Sequence, residues 1–534
     1  MAIAETLSRA QIGLTAPLVH VEVHLAAGLP SFNLVGLPAP VVRESRERVR
    51  AAIVNSGYEF PPGRITVNLA PVELAKEGGR FDLPIALGLL QASGQAGWQP
   101  GQPFECYGEL GLGGELKPVT GLLLAALHAR RAGHRLVLPA DNLCEARRVA
   151  EEGALGFRSL RGVCSFLAGE PDSEGATVTD AAAVTATTRG AGPEAWSFVT
   201  PELQNRSLDD ILGQSSAKRA LCIAAAGGHS LLLIGPPGSG KSLLASRIVG
   251  LLPPLTEAEA LDVACIACVG SGSFDFSRWG HRPFRAPHHS ASASAIIGGG
   301  PRLGPGEISL AHCGVLFMDE FPEFDRRVLE SLREPLESGH VTLSRAGGRL
   351  DLPAAFQLVA AMNPCPCGHQ GVAGEKCQCS EREVARYRGR ISGPLWDRID
   401  LRIEVPRQAM KELLSGQREC MQVEATPPTR RAGIARSGST QAEVQQQVQV
   451  ARTLQQHRAA CLNARLPVQR LAQDCSLDEE SREVLVKSQE LFRLSGRGLH
   501  RILRIARTIA DLDQSPSLRA AHVSEAIHFH RPMT

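Results

Sequence analysis

The chain has 534 residues, more than one hydrophobic core organises, so several domains are expected. Hydrophobic residues make up 43%, charged residues 21% and aromatics only 4%, a globular composition in which aliphatic side chains must fill the cores. A formal net charge of +2 excludes a general polyanion-binding surface, so any nucleic-acid site must be local. No apolar run approaches the roughly 18 residues of a membrane span. Met1 to Ala10 carries Glu5 and Arg9 in place of an apolar signal core, and the expectation is a cytoplasmic protein with no membrane partner. The 14 cysteines are scattered over a long chain, which fits reduced thiols rather than a disulfide framework.

Residues 1–170 alternate short apolar strands with helical stretches. "RESRERVRAAIVNSG" predicts an amphipathic helix with Val42, Val49, Ile53 and Val54 near one face, and "RITVNLAP" predicts a strand. Residues 171–205 are rich in Ala, Thr and Gly and read as a linker. A second α/β region spans 206–410, a polar linker 411–440, and a helical segment 441–534. No internal repeat of fixed period is present.

Within the second region, Gly235, Pro236, Pro237, Gly238, Ser239, Gly240, Lys241 and Ser242 form a full P-loop pattern between an apolar strand and a helix. The glycines turn backbone N–H groups toward phosphates, Lys241 reaches the β- and γ-phosphates of ATP, and Ser242 supplies a hydroxyl to Mg²⁺. "GVLFMDE" then delivers Asp319 and Glu320 at the carboxyl end of a buried strand, where open α/β sheets bind ligands. Beside a P-loop, Asp319 is expected to hold Mg²⁺ and Glu320 to polarise the attacking water. Asn363 ends the next apolar strand, where an amide orients water against the γ-phosphate; Asn-Pro is also an ordinary turn.

Cys365, Cys367, Cys377 and Cys379 lie within fifteen residues, with His369 among them. Thiols this dense in a reducing compartment bind Zn²⁺ through tetrahedral sulfur and nitrogen, although the spacing is C-x-C rather than the commoner C-x₂-C. The expectation is a zinc loop over 365–379; the alternative is a loop of bare cysteines. His288 and His289 in "RAPHH" read as a structural or DNA-facing loop.

These residues carry a specific resemblance. "GPPGSGKS", "GVLFMDE", "AAMNPCPCG", "ISGPLWDRIDLRIEVP" and "LHRILRIARTIADL" resemble the magnesium-chelatase-like AAA+ ATPases of the YifB/ComM family. The likeness extends to "GLPSFNLVGLP", "RESRERVRAAIVNSG" and "RITVNLAPVELAKEGGRFDLPIALG", and so covers nearly all the chain except the linkers. It implies an α/β fold: a P-loop AAA+ core with a C-terminal helical lid, preceded by an N-terminal Lon-protease-like α+β domain. It further implies a homohexameric DNA helicase that drives branch migration in natural transformation and recombination. Arg398 in "LWDRID" matches the finger that MCM-like ATPases insert into a neighbouring subunit's site, or else pairs with Asp397 or Asp400. Arg497 matches a second sensor arginine, with Arg501 and Arg504 as alternatives on the same segment. MCM-like motors grip DNA with two hairpins. Here "SASASAIIGGGPRLGPGEISL" and "VTLSRAGGRLDLPA" read as hairpins, the second placing Arg345 and Arg349 for contact with DNA phosphates.

The segment matching the Lon serine loop has Asp82 and Leu83 where Ser-Ala would stand, and Leu123 falls near the position of the Lon lysine. Without that pair the domain has no acyl-transfer nucleophile, so a scaffold is expected, with Lys76, Arg80 and Lys117 as candidate surface contacts for DNA. Three functions remain: an ATP-driven DNA motor, favoured by the whole-chain likeness; a chelatase-type protein remodeller; and an ATP-dependent protease, disfavoured by the missing pair.

Overall fold

A computed structural model describes residues 2–530 except 38, 40, 41, 43, 77, 98–102, 170–206, 301, 302, 346, 347, 373, 409–439 and 493. The expected linkers at 171–205 and 411–440 therefore lie outside the described residues, Thr440 apart. The described residues fall into two units, one up to residue 169 together with Ala264–Ser277, the other comprising the remainder.

In the first unit, strands β1 (Ala2–Arg9), β2 (Leu18–Ala26), β3 (Ser31–Val35), β4 (Arg64–Ala70) and β5 (Phe104–Cys106) precede a two-strand hairpin, β6 (Glu109–Leu110) and β7 (Leu116–Lys117), and then β8 (Arg135–Pro139) and β9 (Ala154–Phe157). The seven longer strands form one mixed sheet in the order β3-β4-β2-β1-β5-β8-β9. β2 shows why one face is covered: Val19, Val21 and Val23 are fully buried while the intervening His20 and Glu22 are not, the period-two pattern of a one-sided strand. The helix Asp82–Ala92 is apolar almost all round and is correspondingly buried from Asp82 to Leu90.

Two expectations for this unit change. The predicted helix forms over Ser45–Asn55 and buries Val49 and Ile53, but Val54 is 52% exposed. Val54 is one residue, hence about 100°, beyond Ile53 and falls off the buried stripe. Lys76 and Arg80 are not surface contacts: they are 0% and 8% exposed. Their cationic heads are satisfied by backbone carbonyls, Lys76 by Pro71 and Arg80 by Thr120, which lets long charged side chains be enclosed. Lys117 is exposed.

The second unit begins with the helix Ser215–Gly227 and β10 (Leu231–Ile234). There follow β11 (Phe284–Arg285), the short hairpin β12 (Gly298–Gly299) and β13 (Gly304–Pro305), β14 (Val315–Met318), the hairpin β15 (His340–Arg345) and β16 (Gly348–Pro353), β17 (Gln357–Met362) and β18 (Leu401–Glu404). β10, β14 and β17 are buried at every residue, as expected of strands covered on both faces. They form a five-stranded sheet in the order β11-β14-β17-β10-β18, with every pairing parallel. Helices after residue 440, including Gln441–Ala459, Glu479–Phe492, Gly496–Leu512 and Ala520–His530, share one apolar core with this sheet. Gly496–Leu512 buries Ile502, Ile505, Ala506 and Ile509 at helical spacing. This is the α/β fold with a C-terminal helical region that the sequence predicts. Among the described residues, no helix is long and apolar enough to cross a membrane.

Candidate nucleotide site and cysteine centre

Parallel pairing decides where the chemistry gathers. β14, β17 and β10 are adjacent and run the same way, with Met318 opposite Ala360 and Met362 opposite Ile234. Whatever follows each strand therefore emerges at one edge: Asp319 and Glu320 after β14, Asn363 after β17, and the loop from Gly235 after β10. The loop turns through Gly238 and Gly240 at φ of 75° and 87°, values that L side chains rarely adopt, and leads into the helix Lys241–Leu251.

The side chains meet accordingly. Lys241 Nζ donates to the Gly235 and Pro236 carbonyls at 2.7 and 2.9 Å and to Asn363 Oδ1 at 3.1 Å. Burial lowers the pKa of its ammonium, while Asp319 and Glu320 pull the other way. Ser242 Oγ donates to Asp319 Oδ2 at 2.5 Å, so the two oxygens expected at Mg²⁺ already lie side by side. A cation with a preference for hard oxygen ligands fits between a hydroxyl, a carboxylate and substrate phosphates. Glu320 sits at φ 51° and its Oε2 lies 3.0 Å from His289 Nδ1.

From sequence that histidine reads as part of a structural or DNA-facing loop, with no link to Glu320. β11 pairs with β14 so that Arg285 lies opposite Leu316, and both chains run four residues further to His289 and Glu320. A short strand in "FRAPHH" parallel to the two-acid strand is the signal that finds it. The His288 ring lies against that of His289, with centroids 4.1 Å apart, and accepts or donates a hydrogen bond with Ser290 Oγ at 2.8 Å.

The arginines separate by their partners. Arg398 is ion-paired with Glu337 at 2.5 Å and donates to the Pro394 carbonyl at 2.7 Å, not with Asp397 or Asp400. Asp400 is taken by Arg501 and by His229, and His530 Nδ1 hydrogen-bonds its backbone carbonyl. Burial pushes the Asp400 carboxyl up, but the His229 hydrogen bond and the Arg501 charge outweigh it and hold it below the usual carboxylate range. Arg504 donates twice to the Leu466 carbonyl. Arg501 and Arg504 thus anchor their helix, whereas Arg497, at its first turn, is exposed.

The four cysteines converge. Their Sγ atoms all lie within 4.8 Å of one another. The Cys365–Cys367, Cys367–Cys377 and Cys365–Cys377 separations are 3.4, 3.6 and 3.7 Å. Tetrahedral Zn²⁺ with bonds of about 2.3 Å spaces its sulfurs by about 3.8 Å, so the donor set fits that ion. Backbone N–H groups of Gln378 and His369 draw the Cys367 thiol down, while the neighbouring sulfurs push Cys377 and Cys379 up, as expected of clustered thiols with no cation among them. His369 is not part of the tetrad: its imidazole is paired with Glu375. Among the described residues every cysteine is free of disulfide bonds.

β15 and β16 form the predicted antiparallel hairpin, with Arg345 opposite Gly348; residues 346 and 347 at its tip lie outside the described residues. Arg349 is exposed and its Nε lies 3.3 Å from Asp351. The glycine-rich segment before it forms only a two-residue hairpin, β12 and β13, flanked by the short helices Ala293–Ile297 and Glu307–Leu310. In the first unit, Asp82 is buried and ion-paired with Arg48 at 2.8 Å, and Leu123 is buried in the helix Leu122–Ala132, so neither position presents a nucleophile.

Comparison with known proteins places these features in context. The family model described as magnesium chelatase, subunit ChlI, matches residues 207–413. A model described as subunit ChlI of Mg-chelatase matches 21–142, and one for the subunit ChlI C-terminal region matches 438–530. The chain is 44% identical over 529 residues to the uncharacterized protein YifB of Escherichia coli strain K12, a match covering 99% of this chain and 97% of that protein. It is 43% identical over 531 residues to the competence protein ComM of Haemophilus influenzae, covering 99% and 97% of the two chains.

Proposed function

Because this chain belongs to the YifB/ComM family of magnesium-chelatase-like AAA+ proteins, we propose that it is an ATP-driven motor that moves on DNA as a homohexamer. Family membership points to ATP and Mg²⁺ as the ligands of the sheet edge. The observation that carries the reading is the convergence of Lys241, Ser242, Asp319, Glu320 and Asn363 at that edge.

The division of labour follows from chemistry. The backbone of residues 235–240 and the helix N-terminus take the phosphate oxygens, and Lys241 neutralises them. Ser242 and Asp319 would hold Mg²⁺, which would supply positive charge against the transferring phosphoryl group. Glu320 accepts a proton from the attacking water, and Asn363 holds that water and the γ-phosphate in line. Arg398, released from Glu337, reaches the neighbouring subunit's γ-phosphate, and Arg497 contacts the nucleotide from the helical segment.

Action on DNA is supported by the antiparallel hairpin bearing Arg345 and Arg349, of which Arg349 is exposed, and by the name of the Haemophilus relative, which ties that protein to competence. With a net charge of only +2, DNA contact must come from such local cations repeated around a ring. The test is hydrolysis with and without single-stranded or branched DNA: stimulation that fades steeply with salt supports the motor, and a rate indifferent to every DNA refutes it. A chelatase-type protein remodeller is the second reading, favoured by the magnesium chelatase subunit descriptions of all three matching family models.

A further inference from the structure

We propose that the loop carrying the four cysteines is a brace for the phosphate-binding loop, so that a bound Zn²⁺ at Cys365, Cys367, Cys377 and Cys379 sets nucleotide affinity. The proposal rests on reading residues 235–242 as the nucleotide site and goes beyond it.

Two links join the loops. The first is covalent and short. Asn363, whose Oδ1 meets Lys241 Nζ at 3.1 Å, is separated from Cys365 by Pro364 alone. Cys365 is fully buried and Arg388 donates to the Pro364 carbonyl at 3.4 Å, so the strand end and the first metal ligand are one fixed piece. The second is a packing contact. Gly368 lies so close to Pro237 that a Cβ on it would meet Pro237 Cδ at 2.5 Å and Cγ at 2.9 Å. Its φ is 82°, in the left-handed region, so the close approach and the backbone turn both require glycine there. The cysteine loop thus bears directly on the middle of the P-loop while its root holds the amide that touches the P-loop lysine.

What keeps the brace in place is the question that points to metal. Between Cys367 and Cys379 the described residues are exposed or only partly buried, apart from Gly368, and offer no apolar core. Among the described residues the loop's polar ties are short-range or made at its surface: the Gln370 N–H to Cys365 Sγ at 3.4 Å, backbone bonds from Gly368 to Cys365, Val372 to His369 and Glu375 to Val372, the His369–Glu375 pair, and the outside arginines Arg388 with Gln370 at 3.2 Å and Arg407 with Glu375 at 2.8 Å. A segment of this kind does not offset its ordering entropy by burial. Four sulfurs at metal-ligand spacing do so when Zn²⁺ joins them, because metal binding to such sites is coupled to the folding of the loop. Loss of the ion then releases Gly368 from Pro237 and loosens Asn363, and both changes fall on phosphate binding rather than on the hydrolytic carboxylate.

The test reads equilibrium binding of a fluorescent ATP analogue, not turnover. Full-length protein is compared as purified, after chelation, and after Zn²⁺ alone is restored, with metal content measured in each state. Affinity is expected to fall roughly tenfold or more on chelation, the scale of one lost charge-assisted hydrogen bond to phosphate, and to return with Zn²⁺. Gly368→Ala separates the brace from the metal: it is expected to keep one zinc per chain and an unchanged far-ultraviolet circular dichroism spectrum, yet bind the analogue several-fold more weakly. Unchanged affinity in the stripped protein, unchanged affinity in zinc-loaded Gly368→Ala, or failure of the protein to take up zinc each overturns the proposal. Wild-type protein that binds no analogue, or a Lys241→Ala variant that binds it normally, instead overturns the underlying assignment of the nucleotide site.

Discussion

His289 Nδ1 lies 3.0 Å from Glu320 Oε2, at the carboxyl ends of two paired parallel strands. A carboxylate engaged by an imidazole is less free to take a proton from water, and the loop holding the histidine leads through the helix Ala293–Ile297 to the short β12–β13 hairpin. His289→Ala is therefore expected to raise hydrolysis in the absence of DNA by several-fold and to narrow the gap between basal and DNA-stimulated rates. Glu320→Gln should keep nucleotide affinity and lose hydrolysis by at least about a hundredfold, the usual scale of a general base. Steady-state rates with matched binding data check both. A lower basal rate in His289→Ala would make the histidine a support for Glu320 rather than a restraint on it.

Arg497 and Arg501 stand one turn apart and should fail differently. Arg501→Ala removes a partner of buried Asp400 and is expected to cost about 2 kcal/mol of stability, below the ~3–5 kcal/mol of a fully broken buried pair because His229 remains. Arg497→Ala, at an exposed position, should leave thermal unfolding unchanged and weaken nucleotide binding or turnover. Thermal unfolding beside nucleotide titration separates them; identical behaviour of the two variants would contradict the assignment.

For Arg398 the structure names Glu337 as the partner that must be left behind. Arg398→Ala should bind ATP and hydrolyse it poorly. Mixed with Lys241→Ala subunits it should recover some activity at hybrid interfaces, because the defects lie on opposite sides of each interface. Glu337→Ala should retain hydrolysis. Mixed rings that form and recover nothing would remove the trans role.

Asp82 gives the first unit a pH signature. Burial raises its carboxyl from 3.8 to about 6 in spite of Arg48. The native state therefore holds this proton more tightly than the unfolded chain. The stabilisation it lends is full below 3.8, declines as pH rises toward 6 and is gone above that. Over this window the helix Asp82–Ala92 should lose up to about 3 kcal/mol of protection from amide exchange relative to Asp82→Asn. Parallel pH profiles in the two proteins would refute the raised value.

Much of the site was legible because its signals are local in sequence. The P-loop, the two acids after "GVLFM", and the C-x-C pairs each sit on contiguous residues, and the fold brings each set together as that spacing predicts. The strands β10, β14 and β17 were readable as uninterrupted apolar runs. What escaped depends on contacts between distant segments. His289 acquires meaning only from the β11–β14 register, and Lys76 and Arg80 are enclosed because carbonyls elsewhere satisfy them. The sequence names Arg497 with Arg501 and Arg504 as alternatives, but that Asp400 and the Leu466 carbonyl engage the latter two is visible only in the fold.

The most direct test of the central claim offers purified protein forked and four-way DNA with Mg-ATP and follows strand displacement and branch migration. The wild type is expected to move both substrates with little regard to sequence, and Glu320→Gln to move neither. Arg345→Ala with Arg349→Ala should lose movement while basal hydrolysis persists, since the nucleotide site is untouched. An assembled hexamer that hydrolyses ATP yet neither binds nor moves any of these DNAs would contradict the motor and leave the protein remodeller in its place.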